Sequence, residues 1–135
     1  MCGIAGVFGV GVDRDPQAKA GIYRIMEIQR HRGPDDEGLL CQKDIILGHR
    51  RLSILDLSAA GRQPMSNEDR TVWVVYNGEI YNYRKLRQEL QSQGHRFTSL
   101  SDTEVLIHGY EEWGIEGLLK RLRGMFAFAL YDRRL

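Results

Sequence analysis

The sequence is short of most features that mark a specialised surface. Of its 135 residues only two are cysteine, Cys2 and Cys41. Two thiols without metal-type spacing suggest neither a zinc site nor a disulfide framework. Charge is balanced, with 19 basic and 18 acidic residues and a formal net charge of +1. That balance gives no electrostatic reason to expect nucleic acid or an anionic membrane as a partner. No stretch approaches the ~18 apolar residues of a membrane span, and the start lacks the basic region and long apolar run of an export leader. Repeats and low-complexity segments are missing too. The expectation is a soluble protein in a reducing, cytoplasmic setting, where a reactive thiol stays usable.

What is present suffices for one ordinary core. Hydrophobic residues make up 42% and charged residues 27%, as in most globular domains, and the length fits a single domain over 1–135. Residues 2–9 read as a strand, followed by a turn-rich segment. Asp15-Pro16 opens a helix whose apolar face runs through Ile22, Ile25, Met26 and Ile28 to about Arg30. Arg30–Gly38 is polar, contains Gly-Pro and reads as a loop. Leu39–Gln42 and Ile45–Leu52 suggest a strand pair joined at Lys43-Asp44. Leu55–Glu68 is a long irregular connection, of the kind that is often functional. Thr71–Tyr76 is the strongest strand, apolar enough for burial on both faces, and it runs into Asn77-Gly78, a favoured tight-turn dipeptide. A helix over about Tyr83–Gln93 stops at Gly94, and Phe97 lies in a short strand. Ser101-Asp102-Thr103-Glu104 has the form of a capping box before a helix ended by Gly114. Another helix over Ile115–Leu122 and a strand over Met125–Tyr131 follow. Strands in clusters with helices between them suggest layered sheets covered by helices.

Four places carry potential chemistry. Cys2 follows Met1 directly. Once Met1 is removed, it holds a thiol nucleophile and an α-amine base on one residue; the plainer account is a small hydrophobe at the start of an edge strand. Arg50 and Arg51 are adjacent in an apolar strand, so one of them faces inward. An inward guanidinium needs a carboxylate, either that of a substrate or an internal one such as Asp56 or Glu79. Asn77-Gly78 offers an amide and a backbone N–H as two oxyanion donors, or is simply a turn. Asp102 suits a substrate ammonium, or merely the positive end of a helix.

Taken together, Met1-Cys2-Gly3-Ile4-Ala5-Gly6, Arg30-His31-Arg32-Gly33-Pro34-Asp35, His49 to Ile54, Asn77-Gly78-Glu79-Ile80-Tyr81-Asn82, Ser101 to Glu104 and Gly124 to Asp132 resemble the glutaminase domain of the asparagine synthetase family. These are class II glutamine amidotransferases of the N-terminal-nucleophile (Ntn) hydrolase type. The resemblance runs from residue 1 to about 132. It implies an α+β fold, the four-layer αββα sandwich of two antiparallel sheets flanked by helices, with Cys2 at the end of a central strand. It also implies hydrolysis of the glutamine side-chain amide through a Cys2 thioester. In that scheme Asn77 and Gly78 hold the oxyanion, Arg51 clamps the substrate carboxylate, and Leu52, Ser53, Ile54 and Leu55 shape the pocket. Glu79 and Asp102 take the ammonium. The Arg30–Gly38 loop receives a supporting role only. No cofactor or metal is implied for this domain; ATP and Mg are expected only in the synthetase domain that uses the ammonia, which is expected to lie outside residues 1–135. The family's sandwich continues with strands beyond Asp132, so an incomplete C-terminal side is expected. Implied partners are glutamine, that synthetase domain and a second copy in a homodimer. Two alternatives stay open: another class II branch, such as the sugar-phosphate or phosphoribosyl-pyrophosphate type, and a chain without catalysis, either inert through truncation or a glutamine-binding or docking module.

Overall fold

A computed structural model describes all 135 residues. The strands are β1 (Gly3–Phe8), β2 (Asp36–Gln42), β3 (Ile45–Arg51), β4 (Met65–Ser66), β5 (Val72–Ile80) and β6 (Gly124–Asp132). The helices are α1 (Pro16–Ile28), α2 (Tyr83–Ser92) and α3 (Thr103–Arg121). The strands form two antiparallel three-stranded sheets, ordered β1-β3-β2 and β4-β5-β6.

Side-chain alternation along β3 and β5 builds the layers. On β3, Ile46 faces α1 and packs with Ile22 and Met26, while Ile45 and Leu47 face the second sheet with Leu40 and Val75. On β5, Val72, Val74 and Tyr76 face α2 and α3, joining Leu86, Leu90, Leu106 and Leu118 in the largest apolar cluster. The order is α1, first sheet, second sheet, then α2 with α3: the αββα sandwich expected from the resemblance. No helix is long and apolar enough to cross a membrane.

Local signals hold at several element ends. The Asp15 carboxylate accepts from the Gln17 N–H at 2.8 Å, with Pro16 in the first helical turn. Gly114 breaks α3 with φ 66° and ψ 176°, separating the two expected helical segments.

Five expectations change. Asn77-Gly78 is no turn, because β5 continues to Ile80 and both residues pair with β6, opposite Ala127 and Phe126. Phe97 lies outside any strand; its ring packs instead edge-on against His108 at 4.7 Å and under the Arg87 guanidinium. The 30–38 loop is shorter than expected, since Asp36, Glu37 and Gly38 pair with β3. Inside the 55–68 connection, Met65-Ser66 adds a short strand to β5. Finally, β1 is an outer strand of its three-stranded sheet, with Cys2 just before it.

Candidate active site

A cavity of about 240 Å³ opens where the start of β1, the end of β3, the C-terminal half of β5, the 52–63 connection and the N-terminus of α3 converge. Cys2, Arg51, Leu52, Ile54, Leu55, Asn77, Gly78, Glu79 and Asp102 all line it. Ser53 does not; its N–H is turned away and donates to Asp35 Oδ2 at 2.8 Å.

Cys2 is half-buried. The Leu52 N–H donates to its Sγ at 3.4 Å, and the Arg32 Nε–H to its carbonyl at 3.2 Å. The 30–38 loop therefore has a definite mechanical task. The Asp35 N–H donates to the Arg51 carbonyl at 3.0 Å, and a Cβ on Gly33 would lie 2.3 Å from the Arg50 carbonyl carbon. Only glycine lets the loop lie this close to β3 while it holds both the nucleophile and the residues that face it.

Both arginines are buried, which corrects the expectation that only one faces inward. They point to opposite faces of β3. Arg50 donates to the Glu37 carboxylate and, at 3.1 Å, to the Gly33 carbonyl. Arg51 faces the cavity and donates to the carbonyls of Asp56 and, at 2.9 Å, Ser58. The internal salt bridge proposed with Asp56 or Glu79 is not formed. Asp56 instead accepts from the Ser58 hydroxyl at 2.6 Å, the Ser58 N–H and the Leu100 N–H, which hold its carboxyl below the usual carboxylate range. Glu79 is exposed at the cavity mouth. Arg51 is thus a buried cation whose partners are all neutral, and a carboxylate entering the cavity would complete it.

The ladder between β5 and β6 decides what Asn77-Gly78 offers. The Tyr81 N–H donates to the Arg123 carbonyl and the Arg133 N–H to the Thr71 carbonyl, so odd-numbered residues of β5 are the ones bonded to β6. Even-numbered N–H groups point the other way, past the start of the short β4. The Tyr76 N–H donates to Gln63 Oε1 at 2.6 Å and the Ile80 N–H to Asp102 Oδ2 at 3.0 Å. The N–H of Gly78, between them, has no acceptor in the chain. Gly78 is also required sterically, since a Cβ there would sit 2.2 Å from the Met125 carbonyl oxygen. The Asn77 Oδ1 is buried without a partner, whereas its Nδ2 donates to nothing in the chain and is not a buried orphan, so the amide's donor end is the accessible one. Two neutral donors without internal acceptors therefore lie side by side in the cavity wall.

Asp102 is buried, and both of its donors, the Tyr76 hydroxyl at 2.6 Å and the Ile80 N–H, fall on Oδ2. It starts α3 without capping it by its side chain. The expected capping box is rearranged as well. Ser101 Oγ accepts from the Thr103 N–H, but Glu104 turns back to the N–H and hydroxyl groups of Thr98 and Ser99. Buried His49 spans the two sheets, with its Nε2 3.0 Å from the Tyr76 carbonyl. Burial lowers its pKa to about 4, so it is neutral and Nε2 carries the proton.

Sequence reasoning missed Gln63 and Tyr76, which also line the cavity. Tyr76 carries a weak signal, because a phenol in a buried strand needs a hydroxyl partner. Gln63 carries none, since its function depends on where β4 begins.

The model of the glutamine amidotransferase domain matches residues 1–135. The chain belongs to this family. It is 48% identical over 134 residues to the glutamine-hydrolysing asparagine synthetase 2 of Arabidopsis thaliana, covering 99% of this chain and 22% of that protein. With the glutamine-hydrolysing asparagine synthetase 1 of Bacillus subtilis, identity is 43% over 138 residues, covering 98% of this chain and 21% of that one. The chain thus spans about a fifth of the length of these curated relatives. Among solved structures, glutamine phosphoribosylpyrophosphate amidotransferase from B. subtilis shares the fold, with a TM-score of 0.79 over 98% of this chain and 35% of that one, at 20% identity. The amidotransferase fold and the family anticipated from the motifs are therefore those found.

Proposed function

We propose that this amidotransferase domain hydrolyses the side-chain amide of glutamine to glutamate and ammonia, with Cys2 as nucleophile. The observation that carries this is the company Cys2 keeps. One cavity holds a thiol, a buried cation without a carboxylate partner and a buried carboxylate with one oxygen free. That pattern complements a zwitterionic amino acid whose side chain reaches the sulfur. Arg51 would take the α-carboxylate and Asp102 the α-ammonium, with Glu79 adding negative charge at the mouth.

With Met1 removed, the Cys2 α-amine has a reference pKa of ~7.7–8.0 and accepts the thiol proton near neutral pH. The sulfur attacks the amide carbon, and the carbonyl oxygen becomes an oxyanion facing the Asn77 amide and the Gly78 N–H, each worth on the order of 3 kcal/mol. The ammonium form of the amine returns the proton to the departing nitrogen, and ammonia leaves. Water, deprotonated by the same amine, then cleaves the thioester to glutamate and free thiol. The names of the relatives point to asparagine formation as the use of the ammonia, in a synthetase domain outside the residues described here.

The test is release of glutamate from glutamine by the chain with Met1 removed, as verified by mass. Cys2→Ala should lower the rate at least ~10³-fold while glutamine still binds. Equal activity in the chain that keeps Met1, where the base amine is a peptide N–H, would refute the mechanism.

A further inference from the structure

Asp102 has two chemically equivalent oxygens, and which one faces the ligand is set by its donors. Both donors sit on Oδ2. The Ile80 N–H belongs to the strand and is fixed by it. The Tyr76 hydroxyl is fixed less directly. Its backbone N–H is held by Gln63 Oε1, and Gln63 Nε2 donates onward to Thr103 Oγ1 at 3.3 Å, next to Asp102 itself. Its carbonyl is held by His49, and its ring is packed in the cluster beneath α2 and α3. A side chain clamped at both backbone ends and along its ring has one direction left for its hydroxyl.

We infer that Tyr76 is the positioning residue that fits Asp102 for an α-ammonium group, by occupying one carboxylate oxygen so that the other is presented to the cavity. The inference rests on the reading of Asp102 as the ammonium partner. A phenol has a single proton, and here it is given to Asp102, so Tyr76 has none for the substrate's carbonyl oxygen and takes no catalytic part. Burial, reinforced by the Asp102 bond, holds the phenol pKa well above its ordinary value, so the donor persists at any working pH. The consequence is selectivity: the chain distinguishes an amino acid from the same amide acid without its α-amine.

The test compares L-glutamine with glutaramate, which has the same amide and carboxylate but no α-amine. Dissociation constants are measured by NMR titration on the Cys2→Ala chain, and again with Tyr76→Phe or Asp102→Asn added. Tyr76→Phe keeps the ring, and its thermal midpoint reports folding. It should weaken glutamine about ten-fold, the loss of one hydrogen bond to a charged group, and change glutaramate by less than about two-fold. Asp102→Asn should abolish the preference for glutamine. If Tyr76→Phe weakens both ligands alike, or neither, while Asp102→Asn still abolishes the preference, the Tyr76 inference is overturned and the Asp102 reading stands. If Asp102→Asn leaves the preference intact, the Asp102 reading falls and the inference falls with it.

Discussion

Arg50 and Arg51 are neighbours on one strand, equally buried, and opposite in what surrounds them. Arg50 is complete, with a carboxylate and a carbonyl of the chain on its guanidinium. Arg51 is left with two carbonyls and an open cavity. The same division runs along the start of α3. Glu104 accepts four hydrogen bonds from Thr98 and Ser99 and faces His108, whereas Asp102 two residues earlier keeps one oxygen without a donor. Burial alone therefore does not mark the site. It is marked by buried polar groups whose bonding capacity the chain leaves unused, since such groups are costly unless a ligand completes them.

The strongest way to break the comparison is to remove each arginine. Arg51→Ala should weaken glutamine binding by about 100-fold, roughly 3 kcal/mol for a charged, desolvated contact, because the substrate carboxylate loses its cation. Arg50→Ala should act mainly on stability. Its partner Glu37 is 56% exposed, so solvent screens the pair and the loss should be nearer about 2 kcal/mol. Titration of glutamine and denaturant unfolding of both variants separate the two effects. Binding losses of equal size would show that β3 does not divide its arginines between frame and ligand.

Glu104 gives the next largest effect. Glu104→Gln replaces an acceptor of two paired N–H and hydroxyl donors by an amide with one donor end, and leaves His108 with one carboxylate fewer. A loss of about 2–4 kcal/mol is expected in denaturant unfolding. Because Glu104 holds the 98–99 segment leading to Asp102, glutamine should also bind several-fold more weakly. A stability change under about 0.5 kcal/mol would show that the hydrogen bonds at Glu104 contribute nothing net.

The legibility of these groups in the sequence follows the same line. Periodicity and caps gave the helices and the long strands, because those are local or repeat every few residues. Cys2, Arg51, Asn77-Gly78 and Asp102 were reached through motifs, and all of them line the cavity. What stayed hidden depends on non-local register. Nothing before the fold says that β6 pairs along the whole of β5 and turns Asn77-Gly78 from a turn into strand. Nor does it say that β4 begins only at Met65, which leaves Gln63 to take the Tyr76 N–H. The resemblance puts Ser53 in the pocket with Leu52, Ile54 and Leu55, but β3 ends at Arg51 and the Ser53 N–H goes to Asp35 instead. The partner of Arg50 was equally unreadable, since Glu37 is opposite it only once β2 extends back to Asp36.

The smallest effect concerns two buried histidines that the fold treats in opposite ways. Burial lowers His49 to a pKa of about 4, with its Nδ1 left without a partner. Burial also works against the charged form of His108, but hydrogen bonds to Glu104 and Glu111 outweigh it and raise the pKa to about 9. Against a reference of ~6.5 in the unfolded chain, the signs separate. Between about 6.5 and 4 the unfolded chain takes up a proton at residue 49 that the folded chain refuses, so stability falls as pH drops. Between about 6.5 and 9 the folded chain keeps a proton at residue 108 that the unfolded chain gives up, so stability falls as pH rises. Each arm should be on the order of 2 kcal/mol or less. The acid arm is distinct from that of Glu104, which burial resists but donors from His108, Ser99 and Thr98 bring down to about 2, so that its contribution is lost only below about 4.5. Denaturant unfolding from pH 4 to 9 should show a maximum near neutrality. His108→Gln should flatten the alkaline arm and leave the acid arm in place, while His49→Gln should do the reverse. An alkaline arm unchanged in His108→Gln would mean that the imidazolium between Glu104 and Glu111 is not the group that titrates there.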